Sequence, residues 1–323
     1  MPVSFTVLAS GSSGNASVLE HGAVRVLIDC GIGPRQLADR LKTVGLSWPD
    51  ISAVVLTHTH GDHWREPTFK HFIKYRIPFF CHSHHARCLE RETPGFQKLA
   101  ESRLVRHYGE AAAIDFGSGL VCWPIPVSHD GGPTFGFRFA ARGPDGVAPV
   151  VAAYLADLGT WTPELVQIVA NADLLALEFN HDVEMELASG RSTHLIERVL
   201  GKFGHLSNEQ AGLFLGEILR ASQPGRLQHL VQLHLSRDCN HPDLAIDAVR
   251  AILAEAGSGA TVVTVEPDVV SPRLHITQRT TDSGATAPQI NETFVAGCTP
   301  EVMITTKTRV ARYSSLQPLL PGF

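Results

Sequence analysis

Ile51-Ser52-Ala53-Val54-Val55-Leu56-Thr57-His58-Thr59-His60-Gly61-Asp62-His63 joins an apolar run to a polar cluster without a break. The run Ile51 to Leu56 is short and rich in β-branched side chains, and Pro49-Asp50 precedes it, so it reads as a buried strand. The positions from His58 to His63 then hold three imidazoles and one carboxylate. Side chains two apart near a strand end point to one side, so His58 and His60 can share a metal ion. Asp62 and His63 lie past the turn that Gly61 permits and can face a second ion. Imidazole and carboxylate donors suit zinc, and also manganese or iron. Clustered imidazoles beside a buried strand would otherwise carry an uncompensated desolvation cost.

This segment resembles the metal-binding signature of the metallo-β-lactamase superfamily. The resemblance implies that His58 and His60 serve one metal and that Asp62 and His63 serve another. It also implies three further ligands in order: a His, a bridging Asp and a last His. His129 follows the apolar run Val121 to Val127, Asp157 follows Val150 to Ala156, and His234 follows Leu230 to Leu233. Each stands at or near the end of a predicted strand, where a rigid scaffold places a ligand. The implied cofactors are two divalent ions, zinc or manganese. Such a pair lowers the pKa of water and clamps substrate oxygens. Asp62 is also a candidate to orient the nucleophile.

The proton for a leaving group points to Gly204-His205-Leu206-Ser207-Asn208, in which His205 precedes a helix capped by Ser207 or Asn208. The segment resembles the Gly-His-Ser segment of ribonuclease Z-like phosphodiesterases, whose His pairs with a carboxylate from an earlier strand end. Glu178 in Leu177-Glu178-Phe179-Asn180 matches that carboxylate. A carboxylate orients an imidazolium and raises its pKa. Together with Asn180-His181-Asp182, the opening Leu8-Ala9-Ser10-Gly11-Ser12-Ser13-Gly14-Asn15 and Leu27-Ile28-Asp29-Cys30-Gly31, it looks like the YycJ-type (WalJ) exonuclease branch. That resemblance spans about residues 5–250 and implies a 5′→3′ exonuclease acting on DNA.

Composition sets limits. The chain has 323 residues, 44% hydrophobic and 18% charged, as in ordinary globular proteins. Formal net charge is −5, so any nucleic-acid binding must be local rather than a global basic field. Six cysteines (Cys30, Cys81, Cys88, Cys122, Cys239, Cys298) lack a framework spacing and read as reduced thiols, giving a cytoplasmic expectation. No signal peptide and no membrane-spanning run are expected, so a membrane is not an expected partner.

Periodicity predicts strands at 3–9, 16–20 and 24–29, a helix from Pro34 to about Val44, and a helix near 66–76. A strand at 78–81 and a helix at 84–92 follow, then several strands between 103 and 156. Next come a helix after Pro163, a strand at 174–179 and helices near 193–201 and 208–221. A strand at 227–234, a helix at 242–256 and a strand at 260–265 complete the series. Two groups of strands with helices outside imply an α/β fold, a four-layered αββα sandwich. The catalytic domain is expected over 1–271 and a polar C-terminal extension, disordered or adding a strand, over 272–323.

Weaker signals remain. Ser12 and Asn15 sit in a glycine turn without the Lys of a P-loop and are candidates for substrate contact. Lys70 and Lys74, with Arg76, lie on one predicted helix beside the histidine loop and are candidate phosphate contacts. His181 reads as a substrate contact or a supporting residue. Asp29 reads as a buried hydrogen-bonding group. Cys81, His82, His84, His85 and Cys88 form an incomplete zinc pattern. The expected substrate is nucleic acid, DNA first, or a small phosphodiester. The alternative activity is a small-molecule metallo-hydrolase acting on a cyclic phosphate or thioester, as in glyoxalase II.

Overall fold

The computed structural model describes residues 2–110, 112–143 and 147–279. The chain begins with strands β1 (Val3–Ala9), β2 (Ala16–His21) and β3 (Val24–Ile28), then helix α1 (Pro34–Thr43) and strand β4 (Ala53–Val55). Helix α2 (Glu66–Tyr75), strand β5 (Phe79–His82), helices α3 (Ser83–Glu92) and α4 (Pro94–Glu101) and strand β6 (Val105–Tyr108) follow. Next come β7 (Ile114–Asp115), β8 (Leu120–Val127), β9 (Thr134–Ala141), β10 (Val150–Leu155), α5 (Pro163–Val169) and β11 (Leu174–Glu178). The last elements are α6 (Val183–Ala188), α7 (Thr193–Leu200), α8 (Asn208–Ala221), β12 (His229–Leu233), α9 (Pro242–Glu255), β13 (Thr261–Thr264) and β14 (Leu274–Ile276).

The strands form two seven-stranded sheets, in the orders β14-β1-β2-β3-β4-β5-β6 and β13-β12-β11-β10-β9-β8-β7. Period-two alternation explains why both sheets are buried on two faces. Val26 and Ile28 of β3 join Phe5, Phe135, Phe137, Phe139 and Tyr154 in the core between the sheets. Leu27 points the other way, onto Leu37, Leu41, Phe69, Phe72 and Phe96 of the helices outside the first sheet. On the second sheet Leu174 and Ala176 face the central core, whereas Leu175 and Leu177 meet Leu165, Phe214, Leu215 and Val249. Three cores separate four layers, and the αββα sandwich is the fold.

Sheet pairing continues past the expected boundary at residue 271. Beyond it β14 pairs antiparallel with β1, Val3 opposite Ile276. Gln228 Nε2 donates to the Thr277 carbonyl, and Ala148 N donates to that of Arg279. Residues 272–279 cover the free edge of β1 and tie it to the second half of the chain. The rest of the expected extension lies outside the described residues. Helices α4 and α6, absent from the periodic reading, start on Thr93 and Asp182 caps that accept from Phe96 N and Met185 N.

Candidate metal centre

Parallel strands deliver the polar side chains to one edge of the sandwich. β3 leads to Asp29, β10 to Asp157 and β12 to His234. These three residues have φ of 60°, 56° and 58°. Left-handed backbone is costly for a residue with a side chain, and such strain collects where a side chain must be aimed. The histidine loop follows β4. Gly31 and Gly131 let backbone press against it. A Cβ at Gly31 would lie 1.6 Å from the Asp62 carbonyl oxygen, and one at Gly131 would lie 2.5 Å from His58 Cδ2.

All seven residues expected as ligands meet there. His58, His60 and His129 bring ring nitrogens within 4.8 Å of one another, and so do the donor atoms of Asp62, His63 and His234. Asp157 falls between the two groups: it clusters with His58 and His63, and also with Glu178, His205 and His234. The Glu178 carboxylate stands 2.7 Å from His205 Nδ1 and 3.0 Å from His234 Nδ1.

Hydrogen bonds turn the imidazoles inward. His129 Nδ1–H donates to the Gly204 carbonyl at 2.9 Å, which leaves the Nε2 lone pair free. Asp29 accepts from His63 Nδ1 at 2.8 Å and from the Thr57 hydroxyl at 2.9 Å. Thr57 has one proton and gives it to Asp29, so its oxygen accepts from His58 Nδ1 at 3.1 Å. One buried carboxylate thereby sets the tautomer of two histidines. Asn15 Nδ2 donates to Asp62 Oδ2 at 3.1 Å, and Asn180 Nδ2 donates to the His234 carbonyl at 3.0 Å.

The donor set fits divalent-metal ligation. His58 Nε2 and His234 Nε2 are buried without a hydrogen-bond partner, and the buried Asp157 Oδ2 faces His63 Nε2 at 2.9 Å. Each unpaired atom costs roughly 1–3 kcal/mol, and two of them belong to this cluster. Burial, with the neighbouring His63, holds His58 well below the usual imidazole range. Burial also opposes charge on His63, yet Asp62, Asp157 and Asp29 outweigh it and raise His63 well above that range. His234 is raised in the same way, by Asp157, Asp62 and Glu178 against burial. Metal and protons therefore compete for one set of negative charge.

The remaining candidates divide. Ser12 is exposed beside the glycine turn. Asn15 is 1% exposed, and its Nδ2 donates to Asp62 Oδ2. His181 is fully buried, its Nδ1 3.3 Å from Asn180 Oδ1. Lys70 and Lys74 are exposed on α2, where Lys74 Nζ lies 5.0 Å over the Tyr75 ring. His82 and His85 are spent on the α3 N-terminus, and His85 Nε2 reaches the Pro133 carbonyl at 2.6 Å. Among the described residues no metal-ligating group forms there. Sequence reasoning passed over Thr57, and also Asp130, whose Oδ1 lies 3.5 Å from Nε2 of both His60 and His129 and which is ion-paired with Arg198.

Comparison with known proteins agrees with this geometry. The Beta-lactamase superfamily domain model matches residues 24–227. The exodeoxyribonuclease YycJ of Bacillus anthracis is 28% identical over 264 residues, covering 80% of this chain and 92% of the relative. The exodeoxyribonuclease WalJ of Streptococcus pneumoniae is 28% identical over 288 residues, covering 84% and 97%. Among solved structures, the metallo-beta-lactamase fold protein YhfI from Bacillus subtilis superposes with a TM-score of 0.60 at 15% identity, covering 84% of this chain and 99% of that one. A diphosphatase from the PhnP family gives 0.57 at 17% identity, covering 85% and 98%. Among the described residues no helix is long and apolar enough to cross a membrane. With strand-end ligands, a four-layered sandwich and a family match over most of its length, the chain belongs to the beta-lactamase superfamily and is a metal-dependent hydrolase.

Proposed function

We propose that the protein hydrolyses phosphodiester bonds, and that its substrate is DNA digested from the 5′ end. Support comes from the exodeoxyribonuclease relatives and from one observation above the rest. The Glu178–His205 pair, 2.7 Å apart, opens onto the same cluster as the metal donors. In this reading His58, His60 and His129 hold one ion, Asp62, His63 and His234 hold a second, and Asp157 lies between them. Bound zinc or manganese supplies Lewis acidity toward phosphoryl oxygens and acidifies a water near neutral pH.

The chain's own residues do the rest. Asp62, fixed by Asn15, is placed to orient the attacking water. Glu178 Oε2 is satisfied by the Leu158 and Leu206 amides, at 3.0 and 3.3 Å, so its carboxylate cannot swing away. Oε1 holds His205 Nδ1–H and leaves Nε2 to face the cleft. Burial opposes the imidazolium, but the Glu178 charge outweighs it and raises His205 above the usual range. His205 thus holds the proton that the leaving oxygen requires, and passes it from Nε2 as the P–O bond breaks.

Oligonucleotides labelled at either end, incubated with the protein loaded with zinc or with manganese, test this reading. Release of nucleotides from the 5′ end is the expected result. Failure to cut any DNA, beside turnover of a small cyclic phosphodiester or a thioester, would overturn it in favour of a small-molecule hydrolase.

A further inference from the structure

Phe203 side chain is 49% exposed, and among the described residues it is the only aromatic in the set of exposed large hydrophobics. The others in that set, Leu187, Leu213, Leu244 and Val269, are aliphatic. A scattered surface Leu needs no explanation, but the place of Phe203 is special. It lies two residues before His205, in the 201–205 loop after α7. That loop is fastened to the loop carrying His129. Asp130 N donates to the Phe203 carbonyl at 3.0 Å, Ser128 Oγ to that of Lys202 at 2.9 Å, and His129 Nδ1 to that of Gly204 at 2.9 Å. Three successive carbonyls are thus spent on the metal-side loop.

The solvent-open members of the site mark its mouth. His205, His60 and Asp130 keep 18%, 34% and 29% of their side chains exposed, and Arg198, paired with Asp130, keeps 49%. The Phe203 backbone adjoins this group through the Asp130 amide. Lys202 is exposed, and its Nζ lies 5.0 Å from the centroid of the Phe203 ring. An exposed aromatic ring with Lys202 over one face, in the loop next to His205, is the chemistry that grips single-stranded nucleic acid on its other face. A base stacks on the ring while the cations neutralise the backbone. It also answers how a chain of net charge −5 can hold a polyanion: the positive charge need only be local.

We propose that Phe203 is a stacking platform for a nucleobase next to the scissile phosphate, with Lys202 meeting the neighbouring backbone phosphate. This deepens the phosphodiesterase reading and rests on it. The ring selects a single-stranded nucleic-acid end over a small diester that lacks a base.

The test uses the full metal-loaded chain, with Phe203→Ala and Phe203→Trp. Binding of a fluorescent single-stranded oligonucleotide with phosphorothioate linkages is followed by anisotropy. Turnover of bis(p-nitrophenyl) phosphate is measured beside it. Phe203→Ala is expected to weaken oligonucleotide binding by roughly tenfold, well beyond its effect on the small diester, and Phe203→Trp to restore it. Equal oligonucleotide binding by wild type and Phe203→Ala, or losses of equal size on both ligands, would overturn the platform and leave the hydrolase reading standing. An oligonucleotide that wild type fails to bind would overturn it too. Absence of phosphodiester turnover beside normal stacking would instead overturn the phosphodiesterase reading.

Discussion

His63 Nδ1 lies 2.8 Å from Asp29 Oδ2, with both side chains wholly buried. The carboxylate also receives the Thr57 amide at 2.8 Å and the Thr57 hydroxyl, so it has no freedom to rotate. Burial raises Asp29 above the ordinary carboxylate range, against the pull of His63 and Thr57. The desolvation of Asp29 is offset only while His63 and Thr57 remain donors. Carboxylate, histidine and metal site form one line of polarisation, with ring basicity directed to the Nε2 side.

Asp29→Asn tests that line with little change of shape, since Asn tolerates the left-handed backbone at this position. The amide cannot supply the charge, and its NH2 can face His63 as a competing donor. Metal affinity is expected to fall by about 10–100-fold, read by competition with a chromogenic chelator. Unchanged affinity would show that Asp29 serves packing alone.

Removal of a donor has a different signature from removal of the acid. His60→Ala is expected to abolish activity and to lower metal content measured by elemental analysis. His205→Ala is expected to slow turnover by roughly 10²–10⁴ while the metal content is kept. Loss of metal in His205→Ala would make His205 a ligand, a role open to it because it clusters with Asp157, Glu178 and His234.

The pH profile discriminates further. His205 is raised because Glu178 outweighs burial, and Glu178 itself is held down to about 2, where the pull of His205 and His234 exceeds its own burial. With His205 in the proposed acid role, activity is expected to be retained below its raised pKa and lost as pH climbs through it. Glu178→Gln removes the raising charge and leaves burial, which favours neutral imidazole. The alkaline limb of kcat/KM is expected to move to lower pH. An unmoved limb would assign it to another group. Metal content must be measured beside it, because Glu178 also bonds His234.

The ligand set was legible because each member is a polar residue that interrupts an apolar run, and a strand end is the place where such an interruption can be useful. Asp29 was read as a buried hydrogen-bonding group, which it is, but its partner was invisible: Thr57 and His63 are joined to it across β3 and β4. Nothing in the sequence states that Asn15 and His181 are buried. The role of Leu274-His275-Ile276 was hidden for another reason. Three residues carry too little periodicity to announce a strand, and only the free edge of β1 supplies the cause. Asp130 and Phe203 belong to loops without a pattern, and the backbone bond that joins them is encoded by no side-chain spacing.

Gly31 offers the most local test of how the loop bearing Asp62 is held. Its amide donates to the Asn15 carbonyl at 2.8 Å, and the amide of Asn15 donates to the Asp62 carbonyl at 2.7 Å. A methyl group at residue 31 would sit 1.6 Å from that carbonyl oxygen and 2.8 Å from Asn15 N. Both neighbours are backbone and cannot rotate aside, so Gly31→Ala must push the loop outward. Overpacking of this kind costs about 1–3 kcal/mol, and each kcal/mol lowers Tm by roughly 2–4 °C in a chain of this size. Asp62 should move with the loop, so metal affinity is expected to fall together with Tm. Gly33→Ala, where an added Cβ meets nothing within 4 Å, is the matched control and should keep both. A Gly31→Ala protein that melts and binds metal like wild type would show that the Asp62 loop is free to shift, and that its position comes from the metal and not from the Asn15–Gly31 clasp.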